Sequence, residues 1–417
     1  MKGVITTEQL LFYEYAARQG NANWEKLISR ESNLYSRPDD IRSPFARDYT
    51  RILHSMAYRR LKHKTQVFFN INNDHICTRM EHVSHVESVS STIAKFLGLN
   101  EELTKAISIG HDLGHAPFGH QGETVLKELS ESYLHKNFWH EQNGLRFVDK
   151  IELLEDNYNV QKNLDLSYAV RDGIISHCGE IDQNGIIPRD IAIPIDDFNS
   201  PGKYQAITWE GCVVKIADKI AYLGRDIQDA INLGFLDKTA QNQLLRMARA
   251  NDERVMNTTV IIHNMIIDIC KNSSPDKGIC LSTQFNQQLN ELKQFNNDYI
   301  YRHNRLVPYK EYSALVINQI FSELLNLYDG KHTWTPLKEN RHFTPMLIDS
   351  FEIWLARFCF PDIVPEGKLK ELALSCENDK IYQNLDTQEL YVQAILDYIS
   401  GMTDRFAIKL FNELLEY

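Results

Sequence analysis

His111-Asp-Leu-Gly-His-Ala-Pro-Phe-Gly-His120 places three histidines and a carboxylate within ten positions, around the helix breakers Gly114 and Pro117. Neighbours on a continuous helix diverge by about 100°, so His111 and Asp112 can converge on one ion only where a helix runs out into a turn. Nitrogen and oxygen donors in this pattern suit a divalent cation of borderline to hard character, the kind used for hydrolysis. The surroundings add weight, since ten of the chain's 15 histidines fall between His54 and His140. So uneven a distribution marks one region of the fold as chemical.

Outward from this stretch the readable periodicity is helical. Met80, Val83, Val86, Ile93 and Phe96 recur at helix spacing from Arg79 to Phe96, with His82 in the first turn and Gly98 as a stop. Asn100 is an N-cap for a helix with Glu101 and Glu102 in its first turn, running through Ala106, Ile107 and Ile109 until Gly114 ends it. This puts His111 and Asp112 near a helix C-terminus. A third helix is predicted over Trp209 to Leu233, where Val213, Ile216, Ala217, Ile220 and Leu223 make an apolar stripe that Asp218 interrupts. A carboxylate beside a core-facing stripe needs a cationic partner or a metal. From Asp182 to Gly202 the prolines Pro188, Pro194 and Pro201 read as a long loop, a common lid element. Gly330 to Pro336 reads as a break before a C-terminal helical part that ends in an amphipathic run, Leu390 to Tyr417. Alternating β patterns are scarce, and Gln66-Val-Phe-Phe-Asn-Ile71 allows only a short hairpin turning at Asn72-Asn73. The fold class expected is all-α, with an N-terminal segment over residues 1–41, a catalytic helical domain over 42–330 and further helices over 331–417 packed on its core.

Composition sets the outer limits. The chain has 417 residues and 43% hydrophobic content, enough for a large core, and no apolar run nears the roughly 18 residues of a membrane span. The start Met1-Lys-Gly-Val-Ile-Thr-Thr-Glu8 lacks an apolar h-region, so a cytoplasmic location is expected. Seven cysteines without a C-x-x-C pair indicate buried thiols, not a disulfide framework or a zinc ribbon. A net charge of −11 disfavours a protein that coats nucleic acid, while leaving room for a basic pocket that takes a small anion.

The ordered set His82, His111-Asp112, Asp218 is the H…HD…D pattern of the HD hydrolases. Within that superfamily the chain closely resembles the dGTPase-like deoxynucleoside triphosphate triphosphohydrolases, from about Trp24 to its end. The residues that carry the resemblance are Arg42-Ser-Pro-Phe-Ala-Arg-Asp-Tyr-Thr-Arg51, Arg59-Arg-Leu-Lys-His-Lys-Thr-Gln-Val67, Thr78-Arg-Met-Glu-His82, the His111–His120 stretch, His140-Glu-Gln-Asn143, Ala217-Asp-Lys-Ile-Ala-Tyr222, Tyr301-Arg-His303 and Gly401-Met-Thr-Asp-Arg405. Bare H…HD…D is shared by many hydrolases; the Gly-His-x-Pro-Phe-Gly-His run and the spacing of Asp218, Tyr222 and Asp226 select the subfamily.

The resemblance implies an HD-domain helical bundle in which His82, His111, Asp112 and Asp218 hold a divalent metal: manganese, magnesium, iron, cobalt or zinc. It implies hydrolysis of a deoxynucleoside triphosphate, dGTP or several dNTPs, to deoxynucleoside and inorganic tripolyphosphate by attack at the α-phosphorus. His115, His120, His140 and Glu141 match positions that contact the α-phosphate, protonate the leaving oxygen or position water. Gln66 matches the position that reads the 3′-hydroxyl; Arg79, Lys219 and Lys293 match cations that neutralise the triphosphate; Tyr222 and Asp226 continue the face of Asp218 toward the sugar, and Tyr301 flanks the base. A homo-oligomer, tetramer or hexamer, is implied too, with nucleic acid as at most a regulator. Blander readings stand beside these: Asp218 in a salt bridge with Lys215 or Lys219, His140 as a surface histidine, Tyr222 and Tyr301 as core, Lys293 on a solvated face. A different HD phosphohydrolase, a 5′-nucleotidase or a phosphodiesterase, would keep the metal ligands without requiring Gln66, Tyr222 and Asp226 together. A non-enzymatic nucleotide-sensing scaffold is the third reading, and the complete ligand set weighs against it.

Overall fold

At Thr78 the chain turns into the helix Arg79–Leu97, with the Glu81 carboxylate accepting the Thr78 backbone N–H at 2.8 Å and Gly98 closing the far end at φ 80°. The computed structural model describes residues 11–32, 40–69, 75–156, 158–177, 184–249 and 258–416. Val83, Val86 and Ile93 are buried as the periodicity requires, joined by Val89 and Leu97, while Phe96 stays 36% exposed because Leu97, four residues beyond Ile93, completes the inward stripe. Asn100 caps the next helix, Glu101–Gly110, by accepting the N–H groups of Glu102 and Leu103.

That helix stops at Gly110, four residues before the end read from the sequence at Gly114. The His111 ring takes over its end: Nδ1 lies 2.6 Å from the Ser108 carbonyl and satisfies one of the last acceptors. His111 and Asp112 therefore stand just past the helix and not on it.

The chain divides into two compact units, one of Met1–Leu53, Asn72–Asp112 and Leu166–Val307, the other of His54–Ile71, Leu113–Asp165 and Pro308–Tyr417. In the first, the helices Arg79–Leu97, Glu101–Gly110, Tyr168–Ser176 and Trp209–Asn232 pack on one another. The last of these keeps the sequence-derived span to within a residue, and its stripe of Val213, Ile216, Ala217, Ile220 and Leu223 is buried throughout. Each of the valine, isoleucine and leucine side chains among them contributes about 1.5–3 kcal/mol. A 2.7 Å contact between the Ser90 and Ser108 hydroxyls ties the first two helices together inside this core. The loop from 184 to 208 has no α-helix, only a 3-10 turn at Ile195–Asp197, as its prolines require. The buried Asp172 carboxylate fixes it by accepting from the Arg189 guanidinium and, at 2.8 Å, from the Ile207 N–H.

The second unit holds the helices His120–Leu134, His140–Arg146, Pro345–Phe358, Gln388–Ser400 and Asp404–Glu413. Two sequence expectations need correction here. Pro336 lies inside the first turn of the helix Trp334–Asn340, where its missing N–H costs nothing, so the break is confined to the residues before Trp334. The C-terminal run is two helices, because Thr403 re-caps the chain after Gly401 by accepting the Phe406 N–H. Three short strands, which the sequence did not signal, form a sheet: Leu153–Glu155 pairs antiparallel with Gln161–Asn163, which runs parallel to Cys376–Glu377. Gln66 to Phe69 are not a strand, and the hairpin turn read at Asn72-Asn73 lies outside the described residues. Helix dominates all the same, and the all-α reading holds. Among the described residues no helix is long and apolar enough to cross a membrane.

Gly114 decides how closely the His140–Arg146 helix approaches the His115–Gly119 turn. A Cβ there would lie 2.0 Å from both the Gly144 nitrogen and the His140 carbonyl oxygen, neither of which can move aside. Gly114→Ala is therefore expected to cost at least about 3 kcal/mol, measured as a shift of the denaturant midpoint. An unchanged midpoint would contradict this packing.

Candidate active site

In the first unit four side chains meet. His82 Nε2 lies 3.0 Å from Asp218 Oδ1 and 3.8 Å from Asp112 Oδ2, while His111 Nε2 lies 3.5 Å from Asp112 Oδ1 and 3.8 Å from Asp218 Oδ1. His82, His111 and Asp112 are buried; Asp218 keeps a side-chain exposure of 22%, which leaves the cluster one open flank. Burial disfavours the imidazolium of His82, yet the Asp218 hydrogen bond and the Asp112 charge prevail and raise its pKa. The same pairing, against the burial penalty, holds Asp218 at about 2.

Two orphaned sets of atoms indicate what this cluster is built to meet. The Nδ1–H of His111 is spent on Ser108, so its Nε2 is an acceptor, buried and without a hydrogen-bond partner among the described residues. An acceptor lone pair converging with the His82 imidazole and the Asp218 carboxylate is a donor set that fits a divalent cation, and Asp112 stands 3.5 Å from the same His111 nitrogen. Arg79, buried beside it, gives Nη1 to Asp112 Oδ2 at 2.9 Å, while its Nε and Nη2 donors have no partner among the described residues. Unmet guanidinium donors next to a cation site call for an anion, and phosphate is the natural one.

The Trp209–Asn232 helix continues the site. Lys219 and Tyr222 stand on one wall of an open groove whose other wall is the helix Thr283–Asn296, contributing Asn286, Asn290 and Lys293, with Leu223 and Leu289 between them. Lys293, expected from sequence to meet the triphosphate, thus faces the same groove as Lys219. One turn beyond Tyr222, Asp226 is buried and accepts the Tyr301 hydroxyl at 2.6 Å. Burial outweighs that hydrogen bond and pushes Asp226 up to about 7, while Tyr301 is pushed well above its ordinary value, by burial first and by Asp226 second.

Sequence reasoning did not single out His177. It follows the helix Tyr168–Ser176 as His111 follows its own, with Nδ1 2.6 Å from the Ile174 carbonyl, and its ring stands 5.0 Å from that of His111. A histidine that caps the helix it terminates is the shared local signature.

In the second unit His115 and His140 stack, ring centroids 3.8 Å apart, with His120 5.5 Å from His115. Glu123 organises this group and was also missed by the sequence reading. Its carboxylate accepts the His140 backbone N–H at 2.8 Å, lies 3.1 Å from His140 Nδ1 and 3.4 Å from His120 Nδ1. Despite burial, which opposes ionisation, His140 and His120 hold Glu123 far below the usual carboxylate range. Glu141, almost fully buried, lies 3.4 Å from His140 Nε2. Gln66 belongs to this unit as well, and its amide oxygen is buried without a partner among the described residues. Two stacked imidazoles beside an ionised carboxylate are a group suited to general acid–base chemistry.

The comparisons with known proteins agree with this geometry. The HD domain model matches residues 79–223, which bracket the four converging side chains, and the phosphohydrolase-associated domain model matches residues 370–413. A deoxyguanosinetriphosphate triphosphohydrolase-like protein of Caldanaerobacter subterraneus is 36% identical over 391 residues, 93% of this chain and 90% of that one. Proteins of the same description from Desulfatibacillum aliphaticivorans and Clostridium tetani are 38% identical over 300 residues and 31% over 378, covering 70% and 90% of this chain and 76% and 86% of theirs. With a cluster able to hold a divalent ion at its centre and similarity along nearly its whole length, the chain belongs to the deoxyguanosinetriphosphate triphosphohydrolase-like family of HD-domain proteins.

Proposed function

We propose that the protein hydrolyses deoxynucleoside triphosphates to deoxynucleoside and inorganic tripolyphosphate, with His82, His111, Asp112 and Asp218 holding the divalent metal. The observation that carries this reading is the pairing of an orphaned acceptor on His111 with orphaned donors on Arg79. One set suits a cation and the other a phosphate oxygen. The metal would supply a Lewis acid for an α-phosphate oxygen and a water of lowered pKa. Arg79, Lys219 and Lys293 neutralise the triphosphate, Asp226 and Gln66 read the 3′-hydroxyl, Tyr222 crowds the 2′ position and Tyr301 flanks the base. His120 or His140, with His115 and Glu141 beside them, provides or positions the proton for the departing 5′-oxygen, and Glu123 keeps the two imidazoles oriented.

Product analysis decides the reaction class. Phosphorus NMR of dGTP hydrolysis with manganese is expected to show tripolyphosphate as the first inorganic product; orthophosphate or pyrophosphate in its place would overturn the assignment. Asp218→Ala is expected to lose bound metal and turnover together. His120→Ala and His140→Ala are expected to lower turnover about 10²- to 10⁴-fold with metal content unchanged.

Sugar reading gives a second test. A pocket that hydrogen-bonds the 3′-hydroxyl leaves those groups unpaired against 2′,3′-dideoxy-GTP, so that analogue is expected to be turned over far more slowly than dGTP. Equal rates with dGTP, GTP and the dideoxy analogue would favour a phosphohydrolase of another type.

Asp226 also ties stability to pH. Its folded pKa of about 7 lies above the 3.8 of an ordinary aspartate, so the folded protein holds the proton more tightly than the unfolded chain, and stability falls as pH rises from about 4 to about 7. Asp226→Asn removes this dependence. The difference between wild type and variant is expected to shift by up to about 4 kcal/mol across that window. Parallel stability curves for the two proteins would contradict it.

A further inference from the structure

The Gly401-Met-Thr-Asp-Arg405 motif lies within the span matched by the phosphohydrolase-associated domain, far in sequence from every residue given a chemical role. Its Asp404 is buried at the start of the helix Asp404–Glu413 and accepts two backbone N–H groups, Phe118 to Oδ1 at 2.8 Å and Thr65 to Oδ2 at 2.9 Å. Phe118 lies in the turn between His115 and His120; Thr65 directly precedes Gln66. The neighbouring Lys64 is 2% exposed, and its ammonium donates to the His115 carbonyl and, at 2.9 Å, to the Ser400 carbonyl. One carboxylate and one ammonium therefore tie three short segments into a single strap.

The turn needs this support. Phe118 has φ 64° and Gly119 φ 60°, so the backbone from 117 to 119 follows neither helix nor strand, and the Phe118 N–H depends on a side chain for its partner. An L residue held in the left-handed region is strained by about 1–3 kcal/mol and persists only when its surroundings fix it. Asn143 holds the near end by donating to the Gly114 carbonyl at 2.7 Å. Lys64 holds the middle, and Asp404 holds the strained residue itself.

We infer that Asp404, with Lys64, is a positioning residue for the reaction: by holding the Phe118 and Thr65 N–H groups on one carboxylate it sets the backbone that carries His115 and His120 and, in the same act, the backbone that carries Gln66. The associated domain is thereby part of the catalytic apparatus through the backbone it holds. This rests on the roles given above to those histidines and to Gln66.

Asp404→Asn is the informative change. An amide offers one acceptor oxygen, and its NH2 faces an N–H donor where the second oxygen stood, so either Phe118 or Thr65 loses its partner. Misplacement of catalytic groups by about 1 Å can cost about 100-fold in rate. For dGTP with manganese, kcat is expected to fall about 10- to 100-fold with little change in KM, while the preference for dGTP over 2′,3′-dideoxy-GTP shrinks. Bound metal and melting temperature are expected to stay near wild type, and faster amide hydrogen exchange is expected only in residues 64–66 and 115–120. Should Asp404→Asn not fold, Lys64→Met, which frees the His115 and Ser400 carbonyls and leaves Asp404 in place, is read by the same measurements and is expected to lower kcat. Unchanged kcat and sugar preference, or losses that follow a general rise in exchange across the chain, would overturn the inference. His115→Ala and Gln66→Ala are the controls. If they leave rate and preference untouched, the assignment of those residues fails; if they act and the strap variants do not, only the strap fails.

Discussion

Burying two imidazoles and two carboxylates within a few ångströms of one another is the constraint that the first unit answers. An ion stripped of water costs several kcal/mol unless partners replace the solvent. Here the partners are nearly all internal: His82 with Asp218, Arg79 with Asp112, and the Ser108 carbonyl for His111. Each lies on a helix or at its end, and those helices are locked by aliphatic contacts and by the Ser90–Ser108 hydroxyl pair. The core is a frame that prevents four polar groups from relaxing apart. Among the described residues His111 Nε2 and two donors of Arg79 have no hydrogen-bond partner, and native cores seldom leave such groups without a use.

A different solution operates in the second unit. The His115–Gly119 turn is irregular backbone, and side chains brought from distant parts of the sequence satisfy it: Asn143, Lys64 and Asp404. Helices can hold a side chain only at positions set by their period, whereas a turn held by side chains can present His115 and the N-terminus of the His120–Leu134 helix at whatever angle the chemistry requires. The cost is dependence on residues nearly 300 positions away: the start of the helix Asp404–Glu413 is built into the same compact unit as the His115–Gly119 turn.

How much of this could be read from the sequence follows from whether the determining interaction is local. The Asn100 cap, the Gly98 stop and the stripe on the Trp209 helix are set by neighbours within a turn or two, and the structure keeps them nearly as read. The end of the Glu101 helix was misplaced because a histidine side chain, not a glycine backbone, terminates it. Glu123 escaped notice because its meaning comes from His140, seventeen residues on; its position three residues after His120 was the one local hint. His177 carries the same helix-ending signature as His111, without an adjacent aspartate to draw attention. The small sheet was invisible for a plainer reason: strands of two or three residues are too short to show a period of two. Resemblance supplied the grouping of substrate residues, and the groove shared by Lys219, Tyr222 and Lys293 gives that grouping a physical setting in the first unit.

Charge closes the argument about the kind of ligand. The chain carries a net −11, so a long polyanion approaching its surface is repelled on average. Nucleic-acid affinity rises with the number of phosphates neutralised at once, which demands cations spread over an extended face. Here Lys219 and Lys293 sit across one short groove, and Arg79 is buried. Cations so concentrated can neutralise one compact, highly charged anion and little more. The nucleoside triphosphate proposed above as substrate has that form, and a net-acidic surface would favour such a small anion over the polymer built from it.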